Sequence, residues 1–184
     1  MPTDSILTRA SQPADRPAIH DVHMAAFGPS EAPRIIRLVD EALDDRESVR
    51  SLVAVREGRV VGHVLFTPAT VETAGEPVTA SILAPLAVHP DVQRQGIGAR
   101  LIAAGFEVLR DSGAELVFVL GDPAYYTRFG FQPAAKRGLV SPYPLPPAYA
   151  DAWMVYALRP VRLGRVKGRV RCAHALDHAE LWAE

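Results

Sequence analysis

The segment that most restricts how this chain can fold runs from Leu83 to Gly98. An apolar strand pattern passes through Leu86-Ala87-Val88 into His89-Pro90, and Gln93-Arg94-Gln95-Gly96-Ile97-Gly98 then opens a helix with Ile97, Leu101, Ala104 and Val108 on one stripe. Ser112-Gly113 stops that helix. A helix entered directly from a strand presents first-turn amides without intrahelical partners, at the positive end of the helix dipole. Gly96 and Gly98 have no Cβ, so an anion can approach the main chain closely. A pyrophosphate is the expected guest. Taken alone, such a glycine pair is better explained by tight packing of the helix on a strand.

Spacing separates three kinds of phosphate loop. The nucleotide-triphosphatase loop needs Gly-Lys followed by Ser or Thr, whereas Gly98 is followed by Ala99-Arg100. The dinucleotide fingerprint needs a third small residue where Leu101 stands, and a preceding antiparallel hairpin is the wrong context for it. Both fail.

The rest of the chain supplies that context. A strand is predicted at Ile6 to Arg9, then a helix capped by Asp15 with Pro17 in its first turn and Ile19, Val22, His23 and Ala26 on one face. Gly28-Pro29 breaks the pattern before a second helix carrying Ile35, Leu38, Val39 and Ala42. Leu52 to Arg56 and Arg59 to Phe66 read as antiparallel strands around the turn Glu57-Gly58. Val78 to Val88 is a third strand, in which Pro85 marks an edge or a bulge. After the glycine-opened helix come a buried strand at Leu116 to Leu120, a short helix from Asp122-Pro123 to Gly130, a proline-rich stretch from Pro142 to Pro147, and a strand at Trp153 to Leu158. The predicted class is α+β, with a mixed, mostly antiparallel sheet and helices on both faces.

A length of 184 residues suits one domain, and 48% hydrophobic with 22% charged residues is the balance of a globular core. Cys172 is the single cysteine, so no internal disulfide can form. Met1 to Ala10 lacks the pattern of a secretory leader, and no apolar run reaches membrane length. The formal net charge of -1 gives no reason to expect a nucleic-acid partner. These features predict a cytoplasmic protein away from membranes, a monomer or a homodimer.

The loop that does fit, Gln93-x-x-Gly96-x-Gly98 after Leu86-Ala87-Val88-His89-Pro90, resembles the acetyl-CoA loop of the GNAT superfamily of N-acetyltransferases. Pro123-Ala124-Tyr125-Tyr126-Thr127-Arg128-Phe129-Gly130-Phe131 resembles the C-terminal signature of the same superfamily. The likeness covers residues 6–158, leaving 159–184 as a basic extension expected to pack on the same domain. It implies transfer of the acetyl group of acetyl-CoA, as cosubstrate and without a metal, to a primary amine on a small molecule or a peptide. Acetyl-CoA would lie in the splay between the strands ending at Val88 and Leu120. Main-chain groups of Leu86, Ala87 and Val88 would pair with the pantetheine arm and polarise the thioester. The amides of Gln93, Arg94, Gln95, Gly96, Ile97, Gly98 and Ala99 would hold the pyrophosphate, with Arg94 or Arg100 adding charge-assisted contacts. Tyr126 matches the family's proton donor to the departing thiolate, and Tyr125 is its understudy. Protein lysine or N-terminal acetylation, and a non-catalytic acyl-CoA sensor, are the competing readings.

One departure from the family pattern concerns the base. Many members carry a carboxylate on the strand before the loop, where this chain has Ala84 and Pro85. Proton removal is therefore predicted to use water or a group from another element, with Glu31, His63 and Asp122 as candidates. Asp122 is explained by helix capping alone, and Phe129 and Phe131 by core packing. His20 with His23 and His174 with His178 have helical spacing but no accompanying ligand pattern, so exposed helix positions are expected and a metal site is not. The alternation of Arg165, Lys167, Arg169 and Arg171 with Val166, Gly168, Val170 and Cys172 predicts a half-buried edge strand with a basic outer face.

Overall fold

The computed structural model describes residues 5–45 and 48–183. Met1 to Asp4, part of the stretch read above for a leader, lie outside the described residues. The elements follow the predicted order: β1 (Leu7–Ala10), α1 (Arg16–Asp44), β2 (Arg50–Arg56), β3 (Arg59–Val71), β4 (Val78–Val88), α2 (Ile97–Asp111), β5 (Leu116–Leu120), α3 (Pro123–Tyr126), β6 (Gln132–Pro133), β7 (Leu139–Val140), β8 (Trp153–Ala157) and β9 (Gly168–Cys172). The chain forms two compact units, each discontinuous in sequence. No helix among the described residues is long and apolar enough to cross a membrane.

The first unit comprises the described residues up to Phe66 together with Pro85–Val108. β1, β2 and the first part of β3 form an antiparallel ladder. Glu57 and Gly58, between the facing residues Arg56 and Arg59, both have positive φ (50° and 75°). Two positive φ values in succession are what a type I′ hairpin turn requires. Gly28, at φ 78° and ψ 173°, is the one non-helical residue inside α1, and the helix resumes over Pro29 and Pro33. The predicted break is thus a kink within one helical run rather than a gap between two. Ile19 and Val22 before it, and Leu38, Val39 and Ala42 after it, are buried.

Helices cover both faces of this ladder, and adjacent residues of β3 demonstrate it. A Cβ on Gly62 would stand 3.0 Å from Leu101 and 3.2 Å from Ile97, both on α2. The next side chain, His63, points the other way and meets His23 of α1. Gly105 of α2 is packed still more tightly, since a Cβ there would fall 2.2 Å from the ring of Phe66.

The second unit comprises Thr67–Ala84 and the described residues from Leu109 onward. β4 pairs with β5 in parallel over Ala80–Leu83 and Leu116–Val119. β8 runs antiparallel to β5 on its far side and takes β6 at its outer edge. The core stacks Phe118 on Trp153 at 5.0 Å, with Trp182 edge-on to Trp153 at 5.5 Å. Both indoles are satisfied: Trp153 Nε1 donates to the Leu139 carbonyl and Trp182 Nε1 to that of Leu176.

The basic tail keeps its predicted alternation, with Val170 buried and Arg169 and Arg171 exposed. It is not a free edge. β9 pairs antiparallel with the end of β3 over Ala69–Val71 and parallel with β7 at Leu139 and Val140. Arg171 also forms an ion pair with Glu72 at 2.7 Å.

Candidate active site

In the first unit, the path from β4 to α2 is built around its glycine pair. His89 caps a 3-10 turn at Pro90–Val92, its Nδ1 accepting from the Asp91 amide. Gln93 ties the turn back to the strand, donating from Nε2 to the Val88 carbonyl at 2.9 Å, while its amide donates to Pro90 at 3.4 Å. Arg94 and Gly96 take left-handed conformations, with φ of 63° and 79°. A Cβ on Gly96 would meet nothing within 4 Å, so the backbone conformation and not crowding within the chain is what demands glycine. The Arg100 amide reaches the Gly96 carbonyl at 3.1 Å, and the amides of Ile97, Gly98 and Ala99 precede that bond in the first turn. These groups form an anion cradle, and its chemistry fits a pyrophosphate.

The side chains around the cradle are partly engaged. Ile97 is buried, so only its main chain is offered to a ligand. Gln95 accepts from Arg56 at 2.9 Å, and Arg100 donates to the Ile6 carbonyl at 3.2 Å. Upstream, the His89 amide donates to Val61 at 2.8 Å, and the Ala87 carbonyl lies 3.4 Å from where a Gly62 Cβ would stand. The segment Leu86 to Val88 is therefore flanked by β3. Its pairing with β5 has ended at Leu83, and Pro85 has no amide to offer.

In the second unit, Asp122 caps α3 by accepting from the Ala124 amide at 2.9 Å. The chain leaves the helix through a 3-10 turn at Thr127–Phe129 and a left-handed Gly130. Tyr126 is half-buried, its ring so close over Gly121 that a Cβ there would fall 2.4 Å from it. Tyr125 and Phe131 meet the ring edge-on at 5.0 Å and 5.5 Å. Burial, and next the neighbouring Tyr125, push the Tyr126 phenol well above its ordinary range. Tyr125 is also raised by burial, against the opposing effect of Arg128, whose guanidinium stands 4.8 Å from its ring. Phe131 is a core residue and Phe129 is half-buried. A cavity of about 470 Å³ opens beside this helix, lined by Leu120, Gly121, Asp122, Tyr149, Asp151 and Leu181 among others.

His23 departs from the exposed position expected of it, while His174 is exposed as expected. His23 and His63 are both fully buried, at 0% exposure. His23 Nε2 lies 2.8 Å from His63 Nδ1, and His63 Nε2 lies 2.8 Å from Ser51 Oγ. His23 also stacks on Phe27 at 5.8 Å. Burial lowers both rings, His23 to about 4 and His63 to about 3, each further lowered by a neighbouring histidine. Of the other candidates for the base, Glu31 is exposed and Asp122 is occupied as a cap. Among the described residues, no group of three or more His, Cys, Asp or Glu side chains could hold a metal ion.

A mixed sheet with helices on both faces, and a glycine-opened turn between its fourth strand and second helix, is the architecture of an acyltransferase fold. The acetyltransferase (GNAT) domain family matches residues 8–134. The Escherichia coli protein named as the uncharacterized N-acetyltransferase YjhQ is 43% identical over 166 residues, spanning 87% of this chain and 88% of the relative. The crystal structure of the E. coli GNAT family N-acetyltransferase YhbS in complex with CoA superposes with a TM-score of 0.85 at 32% identity, covering 97% of this chain and 95% of that one. A GNAT family acetyltransferase from Brucella melitensis in complex with acetyl-CoA gives 0.73 at 29% identity, covering 95% and 99%. The chain belongs to the GNAT family of acetyltransferases.

Proposed function

We propose that this chain transfers the acetyl group of acetyl-CoA to a small primary amine by direct attack of the amine on the thioester, as a cytoplasmic enzyme. The observation that carries the reading is the cradle at the start of α2, with its left-handed Arg94 and Gly96 and the first-turn amides of Ile97 to Ala99. Relatives of the same fold hold CoA or acetyl-CoA. In this reading the amides from Gln93 to Ala99 hold the pyrophosphate, with Arg94 and Arg100 adding charge. Main-chain groups of Leu86 to Val88 pair with the pantetheine arm, as an added strand would, and polarise the thioester oxygen. The amine nitrogen bonds to the acetyl carbon, the carbon-sulfur bond breaks, and Tyr126 donates to the departing sulfur.

A small acceptor is favoured over a protein acceptor by the cavity beside α3. Its volume of about 470 Å³ falls within the roughly 300–1,000 Å³ of small-molecule sites. Asp122, which caps α3, and Asp151, which pairs with Lys136 at 3.8 Å, lie in its lining.

The test is a panel of primary amines assayed for release of CoA thiol from acetyl-CoA, with calorimetry on the wild type and on Gly96→Glu. We expect steady, amine-dependent release by the wild type. In Gly96→Glu, CoA binding should weaken at least about 100-fold, because a carboxylate at a strained left-handed position repels the phosphates. Undiminished CoA binding in the variant would remove the cradle from the reading. CoA binding without release in the presence of any amine would favour a sensor.

A further inference from the structure

We infer that Arg56 is a positioning residue for the phosphate turn: from the tip of the β2–β3 hairpin it holds Gln95, and through Gln95 the left-handed residues on either side, in the shape that takes a pyrophosphate. The inference rests on the acyl-CoA reading of the turn given above. Arg56 Nη1 donates to Gln95 Oε1 at 2.9 Å, across 39 positions of sequence. Gln95 lies between Arg94 and Gly96, whose φ are 63° and 79°. Glycine adopts such values freely, but an arginine does so against the crowding of its Cβ on the following carbonyl oxygen. Among the described residues, Arg94 and Glu57 are the non-glycine residues with positive φ. Each is the neighbour of one partner in this bond, since Glu57 follows Arg56 and Arg94 precedes Gln95. Glu57 is explained by its hairpin, whose two-residue turn demands positive φ at both positions. Arg94 has no hairpin to impose its conformation, so its surroundings must hold it.

The turn is anchored at its two ends by its own side chains. Gln93 Nε2 is bonded to the Val88 carbonyl, and Ile97 is buried. Between these anchors Arg94, Gln95 and Gly96 are exposed, and the side chain of Gln95 is where another element takes hold of the stretch. The hairpin that supplies Arg56 is itself fixed on the turn. Its register shifts between Ala54, which faces Gly62, and Val55, which faces Val60, so Val61 is an extra residue on β3. A bulge of this kind re-aims the main chain, and the Val61 carbonyl accepts from the His89 amide at 2.8 Å, at the entry to the turn. Gly62 then lies against Ile97 and Leu101 at the exit. The entry and exit contacts leave residues 94–96 unheld, and Arg56 grips the middle.

An exposed side-chain bond adds little to the stability of the whole fold. Its effect here is local, because it removes conformations of the turn that a ligand would otherwise have to select against. Without Arg56, the middle of the turn relaxes toward extended backbone and its amides no longer converge on one anion. The affinity for CoA then falls by the fraction of chains that still hold the competent shape. The same loss follows from shortening Gln95, since the two side chains act as one brace.

Calorimetry with CoA and with dephospho-CoA, which keeps the pyrophosphate and lacks the 3′-phosphate, tests the brace in the wild type, Arg56→Met, Gln95→Ala and the double variant. Each single variant should bind both ligands roughly 5- to 10-fold more weakly, and the double variant no more weakly than either. Losses that multiply in the double variant overturn the inference, because Arg56 then acts without Gln95. A loss in Arg56→Met confined to CoA overturns it as well, since it marks a direct contact with the 3′-phosphate. Undiminished binding of both ligands in either single variant has the same consequence. Carbon-13 chemical shifts of Arg94 in the full chain give a readout that a general loss of stability does not move. They should report a left-handed residue in the ligand-free wild type, an average with extended backbone in Arg56→Met, and left-handed values again when CoA saturates the variant. Left-handed values in ligand-free Arg56→Met overturn the inference. A wild type that binds neither ligand overturns the acyl-CoA reading of the turn, and the inference falls with it.

Discussion

Tyr126 and Gly121 are matched to each other, since the ring occupies the space a side chain at 121 would need. The contact fixes the ring without using its hydroxyl. Burial moves the phenol further from ionisation, so Tyr126 remains a donor through the whole neutral and mildly alkaline range. In the reading proposed above, its role is to donate a hydrogen bond to a leaving thiolate whose ordinary pKa is near 8.5. Tyr126→Phe keeps the ring over Gly121 and removes only the donor. Turnover should fall by roughly ten- to a thousand-fold while CoA affinity stays close to wild type. Because the phenol's pKa lies above the usual 10, no loss of wild-type activity below pH 10 should trace to this residue. Full activity in Tyr126→Phe with loss in Tyr125→Phe would move the role to the neighbour.

At the level of elements, the contact between α1 and β3 makes stability depend on pH. His23 and His63 have folded values near 4 and 3, below the unfolded value near 6.5. Between about pH 6.5 and pH 4 the unfolded chain binds protons that the folded chain does not, so acidification destabilises the fold over that window. The loss should amount to a few kcal/mol for the pair, read as a fall in urea midpoint from pH 7.5 to pH 5. Asp15, lowered chiefly by its bond to Arg9, adds a loss of the same sign at lower pH, below its ordinary range. A midpoint that does not move between pH 7.5 and pH 5 would mean the pair is charged in the folded state. The burial of His23 was within reach of the sequence, which places it on one face with Ile19 and Val22. The expectation of exposure gave more weight to residue type than to that face. Its bond to His63 was not legible, because nothing local relates an α1 residue to a β3 residue 40 positions later.

For the molecule as a whole, local signals carried far and long-range pairing did not. The Glu57-Gly58 turn, the cap at Asp122 and the left-handed Gly96 before α2 each rest on neighbouring residues and are legible locally, whereas the break expected at Gly28 is a kink within one helical run. The partners of the basic tail depend on residues far away in the chain. β9 joins β3, and its Arg171 reaches Glu72 across 99 positions, which no periodicity can reveal. The family match ends at residue 134, yet β8, which lies between β5 and β6, and β9 both follow it. The tail is therefore part of the fold of the second unit. Val166, Val170, Leu176 and Trp182 are buried there, and Trp182 closes over Trp153. At about 1.5–3 kcal/mol for each buried apolar side chain, removing these residues forfeits roughly 6–12 kcal/mol, comparable to the roughly 5–15 kcal/mol of a whole domain. A chain ending at Leu158 should accordingly show no cooperative melt by circular dichroism. Trp182→Ala alone should cost about 3–5 kcal/mol and lower the melting temperature by several degrees or more. A shortened chain that melts at the wild-type temperature would show that β8 closes the second unit without β9 and Trp182.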